Sequence, residues 1–238
     1  MRSHAILLDV THRLLLIDGA PLAVEVPADN RAAEALAAAA PERLGHELPV
    51  ALGYRVVGDD AWFVFVDSAL DGALVPLRRW AAAHAAPWRV YVDAMLGGWQ
   101  PPTTELEVFS FGNEPRLASQ LAHHVIKGEK RATTSWTAVV EHEGWIAPHP
   151  GMASIVTDGF GIPLCAIETT RVDRGRFGDA TAEIAAAEAE GDHSLADWRR
   201  AHLDYFTAEG ARIGAAFTDD AELYYEYFRV LRVFQSAH

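Results

Sequence analysis

Short runs rich in leucine and β-branched residues alternate with helical stretches, and one break, Gly97-Gly98-Trp99-Gln100-Pro101-Pro102-Thr103-Thr104, interrupts them. Together these predict an α+β chain in two parts. The length of 238 residues agrees with the division, since domains cluster near ~100–150 residues. Half of the residues are hydrophobic, enough for two ordinary cores. We place a small α+β domain of unassigned role at 1–98 and a second domain at 106–238.

In the first part, Ala5–Asp9, Leu14–Asp18 and Leu22–Val26 read as strands. An alanine-rich helix follows from about Asn30 to Ala39 and is expected to stop before Pro41, where a backbone donor is missing. Ala51–Val57 and Ala61–Asp67 form a strand pair about the Gly58-Asp59-Asp60 turn, a helix is expected around Pro76–Ala85, and Arg89–Leu96 closes the part. No repeat period runs through it, and nothing in it carries a recognisable catalytic set.

The second part is more legible. Asn113 ahead of Glu114-Pro115 is a good helix cap with proline in the first turn, and Leu117, Leu121 and Val125 recur on one face to about Lys127. Gly128 then supplies a left-handed cap, and Thr133–Thr137 is strand-like. Lys130 and Thr133 can reach one pocket only if this junction stays curled for a turn, because residues three apart in a straight strand face opposite ways. Ala153–Thr157 and Pro163–Thr170 read as strands around the Asp158-Gly159-Phe160-Gly161 turn. Thr181–Glu190 is helical, Ser194 caps a second helix with Asp197 three residues on, and Leu195, Trp198, His202 and Tyr205 share a stripe. The acids of Asp219-Asp220-Ala221-Glu222 suit the first turn of a helix, and Tyr227–Phe234 supplies a last strand.

Charge restricts the partners. The formal net charge is −13, with 8 Lys/Arg against 13 Asp/Glu up to Glu105 and 12 against 20 beyond it. Non-specific nucleic-acid binding is driven by cations that displace counterions from phosphates, so an extended duplex is not expected. A nucleoside or nucleotide in a pocket, or a short single strand of RNA, escapes that argument. The single cysteine, Cys165, excludes a disulfide within the chain and a multi-cysteine zinc site. His123-His124, His142 and His149 lack ligand spacing, so neither a metal nor any other cofactor is expected. The Met1–Asp9 segment has no leader-like pattern and no apolar run approaches a membrane span; a cytoplasmic protein is expected.

The hexapeptide Gly128-Glu129-Lys130-Arg131-Ala132-Thr133 has the form Gly-x-Lys-x-x-Thr at the end of a helix. Phe111-Gly112 precedes it; Asp158 through Thr170, Glu188 through Leu195, Trp198-Arg199 and His202 follow in order. Over residues 106–234 this pattern resembles the ASCH domain family, in one bacterial subfamily. The resemblance implies a PUA-like β-barrel with helices flanking a cleft, and a link to RNA or modified nucleosides. Some members resemble amidohydrolases that deacetylate N(4)-acetylcytidine, and others are linked to ribonuclease activity. Carried over by motif, the catalytic set would be Lys130, Thr133 and Glu190, with Glu188 as the alternative glutamate.

That set makes chemical sense for an amide bond. A threonine hydroxyl needs a base, and a lysine serves if burial lowers its pKa towards neutrality. Backbone N–H groups near Gly128 would hold the oxyanion, Trp136 or Tyr205 would stack on a base, Glu168 would either line the pocket or face solvent, and for RNA cleavage Lys130 and Arg131 would together hold a phosphate. The competing readings are a binding module without chemistry, a metal-independent ribonuclease in which Glu190 or His202 moves a proton, and a plain structural ion pair of Lys130 with Glu190. His202 on an apolar stripe is first of all a core histidine.

Overall fold

The computed structural model describes residues 2–9, 12–26, 31–70, 72, 74–76, 85–102 and 106–234. The first part builds a six-stranded sheet from β1 (Arg2–Leu8), β2 (Arg13–Leu15), β3 (Leu22–Glu25), β4 (Gly53–Val57), β5 (Asp60–Val66) and β6 (Leu74–Pro76), ordered β4-β5-β1-β2-β6 with β3 also on β1. β1 is its centre, parallel to β5 and antiparallel to β2 and β3. Its near-continuous burial matches an unbroken apolar run, Ala5-Ile6-Leu7-Leu8. Helix α1 (Ala32–Leu44) covers one face through Leu36 and Ala40.

Helix α1 runs through Pro41 instead of stopping before it. The carbonyl that loses its donor belongs to Ala37, which is exposed to water, and Gly45, left-handed at φ 80°, closes the helix four residues later. Of the helix expected around Pro76–Ala85, residues 77–84 lie outside the described residues; α2 (Ala85–Met95) follows and includes most of Arg89–Leu96.

The second part is a curled five-stranded half-barrel of β7 (Leu106–Phe109), β8 (Ala132–Trp136), β9 (Ala153–Thr157), β10 (Pro163–Arg176) and β11 (Glu222–Val233), ordered β7-β9-β10-β11-β8. β10 and β11 pair over most of their length, and two register shifts let the ribbon bend. Helix α3 (Pro115–Ile126) covers one side through Leu121, Ala122 and Val125 against Ile167 and Phe228. On the other side α4 (Thr137–Glu143), α5 (Ala182–Glu188) and α6 (Leu195–Ile213) enclose Trp136, Ile184, Trp198, Phe206 and Tyr225.

Several boundaries move for identifiable reasons. The cap of α3 is Glu114, not Asn113: a residue before proline is forced into extended backbone, and Glu114 has φ −123° and ψ 135°. Leu117 lies outside the buried stripe, which Ala118 and Ala122 complete. Asp219-Asp220-Ala221-Glu222 begins no helix but turns into β11, whose Leu223, Tyr225 and Phe228 need a sheet face to bury. Ser194 does cap α6, accepting from Asp197 N–H at 3.1 Å.

One core is common to both parts. Ile6, Leu8, Val64 and Tyr91 pack with Leu106, Ile155, Ala166 and Phe234, each large buried apolar side chain contributing about 1.5–3 kcal/mol. His12 adds a polar link, donating from Nε2 to Gly161 O at 2.7 Å, while Tyr91 Oη donates to its Nδ1 at 2.8 Å. No helix among the described residues is long and apolar enough to cross a membrane.

Candidate functional site

The junction of α3 and β8 is curled, but β8 is already extended from Ala132, too early to bring Thr133 to the side of Lys130. Gly128 is left-handed at φ 76°, and the N–H groups of Glu129 and Lys130 both donate to His124 O, at 2.9 and 3.1 Å. Arg131 N–H then donates to Ala187 O at 2.7 Å, which ties the entry of β8 to α5. Held from both sides, Lys130 turns inward and is 1% exposed.

Its partners come from the end of α5. Ala189 takes the left-handed conformation at φ 52° where glycine is the usual choice, a backbone cost of about 1–3 kcal/mol that the surroundings must offset. The reversal brings two glutamates of one chain segment to the same ammonium: Glu188 at 3.1 Å and Glu190 at 2.6 Å from Lys130 Nζ. Glu188 is buried and fully engaged. Its Oε1 accepts from Thr134 Oγ1 at 2.5 Å and Trp198 Nε1 at 2.9 Å, and His202 Nε2 lies 3.6 Å from its Oε2. Glu190 keeps about a quarter of its side chain exposed and forms the outer lip of the cluster. The ring of Phe111 lies 5.0 Å from Nζ.

The electrostatics of the group follow. Burial opposes the Lys130 ammonium, but the two carboxylates outweigh it and its pKa rises. Burial likewise opposes a charged Glu188, yet Lys130, His202 and the hydroxyl hold it well below the ordinary carboxylate range. His202 is raised, Glu188 outweighing its desolvation. Lys130 is therefore a fixed cation and hydrogen-bond donor. The expectation that burial lowers its pKa and makes it a base is corrected, because burial arrives together with two counter-charges.

The other expected residues disperse. Side chains alternate along β8, so Thr134 faces the cluster with Ala132 and Trp136, while Thr133 lies on the opposite face across from Glu226, which Thr169 Oγ1 hydrogen-bonds. Trp136 is enclosed by Phe206 and Phe217 and presents no free face to a base. Tyr205 is half-buried against Phe206, its phenol pushed up to about 12 by burial. Glu168 pairs across the strands with Arg229. Gly128 and the Arg131 side chain are exposed beside the junction. Thr134 and Trp198 were not anticipated. A buried indole needs an acceptor, and the spacing of Trp198 and His202 by four on one stripe was the available signal. Among the described residues no group of three or more His, Cys, Asp or Glu is placed to hold a metal ion.

Comparison with known proteins adds identity to this geometry. A family model described as the ASCH domain matches residues 107–232. An ASCH domain from Lactobacillus crispatus JV V101 superposes with a TM-score of 0.51 at 30% identity, over 59% of this chain and 91% of that one. Protein EF3133 from Enterococcus faecalis V583 gives 0.51 at 25% identity, over 61% and 86%. No curated protein matches. The chain belongs to the ASCH domain family, whose PUA-like domains are generally of RNA-binding type.

Proposed function

We propose that the Lys130, Glu188 and Glu190 cluster recognises the base of an RNA-derived nucleoside or nucleotide, with the outer carboxylate of Glu190 accepting from an exocyclic amine. The observation that carries this is the division of labour between the two glutamates. Glu188 is saturated by Lys130, Thr134 and Trp198, whereas Glu190 meets Lys130 and still reaches the surface. A carboxylate oriented by a fixed cation is a ready partner for the N4 amine of cytosine, the pairing that aspartate and glutamate make with that base. Its orientation is set before the ligand arrives, which lowers the ordering cost of binding.

A second reading, amide hydrolysis of an N(4)-acetylcytidine-like nucleoside, draws support from the 2.6 Å contact of a carboxylate and an ammonium at the cluster's outer edge. In that reading Glu190 takes a proton from water, the water oxygen bonds to the acyl carbon, and Lys130 stabilises the oxyanion. The C–N bond then breaks as the proton passes from Glu190 to the leaving amine, giving acetate and cytidine. Thr133 as nucleophile and Lys130 as base have no part in it.

One experiment separates the two. Cytidine and N(4)-acetylcytidine are titrated calorimetrically into the wild type and Glu190→Gln, and the mixtures are assayed for acetate. Cytidine binding that weakens at least tenfold in the variant, without acetate, supports recognition alone. Acetate that disappears in the variant supports hydrolysis. Absence of both binding and turnover in the wild type overturns the site.

A further inference from the structure

We infer that a second surface, the groove between the outer face of α3 and the Asp158–Gly161 turn, binds a segment of single-stranded nucleic acid, with Phe160 as the stacking platform and Arg116 and Lys127 as phosphate contacts. The groove is open to solvent, has a volume of about 900 Å³ and is lined by Arg116, Gln120, His123, Lys127 and Phe160, with Glu114 at one end. That volume lies within the ~300–1,000 Å³ of ligand clefts. The groove shares none of its lining with Lys130, Glu188 or Glu190.

Three observations converge on this ligand class. The first is charge. Arg116 and Lys127 stand on the solvent side of α3 and neither forms an ion pair among the described residues, in a chain whose net charge is −13. Six arginines of this half, Arg171, Arg174, Arg176, Arg200, Arg212 and Arg229, are by contrast matched with a carboxylate. Eleven residues apart, Arg116 and Lys127 are about 16 Å apart along the helix, which suits two non-adjacent phosphates of one strand better than a single anion.

The second observation is the ring. Phe160 is 68% exposed, yet the backbone beneath it is fixed on every side. Asp158 Oδ1 accepts from the N–H groups of Phe160 and Ile162, at 2.8 and 2.9 Å, and Ser119 Oγ accepts from Gly159 N–H at 3.3 Å. A Cβ at Gly159 would lie 2.1 Å from Pro115 Cα, so the turn sits directly on the start of α3. An exposed ring is ordinary; an exposed ring on a clamped turn, facing a cationic stripe, is a platform whose ordering has already been met by the fold.

The third observation is the anchor from the other half of the chain. His12, buried and hydrogen-bonded to Tyr91, donates to Gly161 O, the carbonyl next to Phe160. The first part of the chain thus holds the turn from behind while α3 holds it from in front.

The test is fluorescence anisotropy with a labelled oligouridylate over a series of salt concentrations, using the full chain. The wild type is expected to bind at low salt with a log–log salt slope near −1.4, about 0.7 for each of two phosphate contacts on a single strand. Arg116→Ala with Lys127→Ala should flatten that slope towards zero. Phe160→Ala should weaken binding about tenfold, within the range for loss of one base stack, and leave the slope unchanged. All three side chains are exposed, and unchanged thermal unfolding would establish that the fold persists. Absence of binding by the wild type, or variants that bind as it does, overturns the inference. So does loss of binding in Glu190→Gln alone, which would place the strand at the Lys130 cluster instead.

Discussion

Replacing Lys130 by methionine tests whether the cluster is held together as charges. The substitution keeps a long side chain in the cavity but removes the ammonium that neutralises Glu188, which is 1% exposed. Breaking a buried pair from one side costs about 3–5 kcal/mol, because the remaining charge stays buried. At about 2–4 °C per kcal/mol for a chain of this size, the melting temperature should fall by roughly 10 °C at pH 7.5. The sign of the pH dependence is the sharper criterion. In the wild type the Glu188 pKa is depressed, so its contribution is present above the unfolded carboxylate pKa and lost as pH falls through the folded one. In the variant burial prevails, the folded pKa rises, and protonation relieves the penalty. The deficit of Lys130→Met should therefore be largest near neutrality and shrink towards pH 5, and Lys130→Met with Glu188→Gln should recover most of it. The assay is thermal unfolding by circular dichroism across that range. A deficit that is absent, or that grows on acidification, would refute the ion cluster. Lys130→Ala would add a cavity to the same penalty, so loss of function in that variant alone says nothing about chemistry.

His12 gives a second pH signature. Burial pushes its pKa down to about 4, so the unfolded chain takes up a proton below about 6.5 that the folded chain refuses. The stability it contributes is complete above pH 6.5 and is lost between there and 4, about 3 kcal/mol in all. Urea unfolding of the wild type and His12→Gln should diverge in slope across that window, and parallel profiles would refute it. On β8, Thr134→Ala should destabilise by about 1.5–3 kcal/mol through the lost bond to a charged group, while Thr133→Ala should cost less. The reverse order in denaturant melts would return Thr133 to the cluster.

The fold and the site were legible to different depths. Local backbone rules identified Gly128 as the turn out of α3, Ser194 as the cap of α6 and β9 at Ala153–Thr157, because each depends on a few adjacent residues. The motif likewise found Lys130 with both glutamates. What failed was facing and context. Whether Thr133 or Thr134 meets Glu188 depends on where the curl stops, and a single residue reverses the face. The direction of the Lys130 shift depends on two carboxylates that converge only because Ala189 is left-handed, and an alanine gives no warning of that. Trp136 reads as a stacking residue in isolation and becomes core once Phe206 and Phe217 arrive from α6 and the segment after it. Pro41 misled for the opposite reason: its rule is general, and an exposed carbonyl made the exception inexpensive.

The first part of the chain also acquires a physical role. The ASCH domain of Lactobacillus crispatus is matched over 91% of its length by 59% of this chain, so most of residues 1–98 is an addition to that shared framework. The addition is not merely tethered. Ile155 and Ala166, both fully buried, pack against Ile6, Leu8 and Tyr91, and the end of β11 is closed by Trp99 against Phe234, ring centroids 5.8 Å apart. Removing the first part would expose this apolar face and free the Gly161 carbonyl at the same time. The division at the Gly97–Thr104 break is thus a division between sheets rather than between cores. The groove beside Phe160 is the place where a change in the first part would be felt by a ligand on the second.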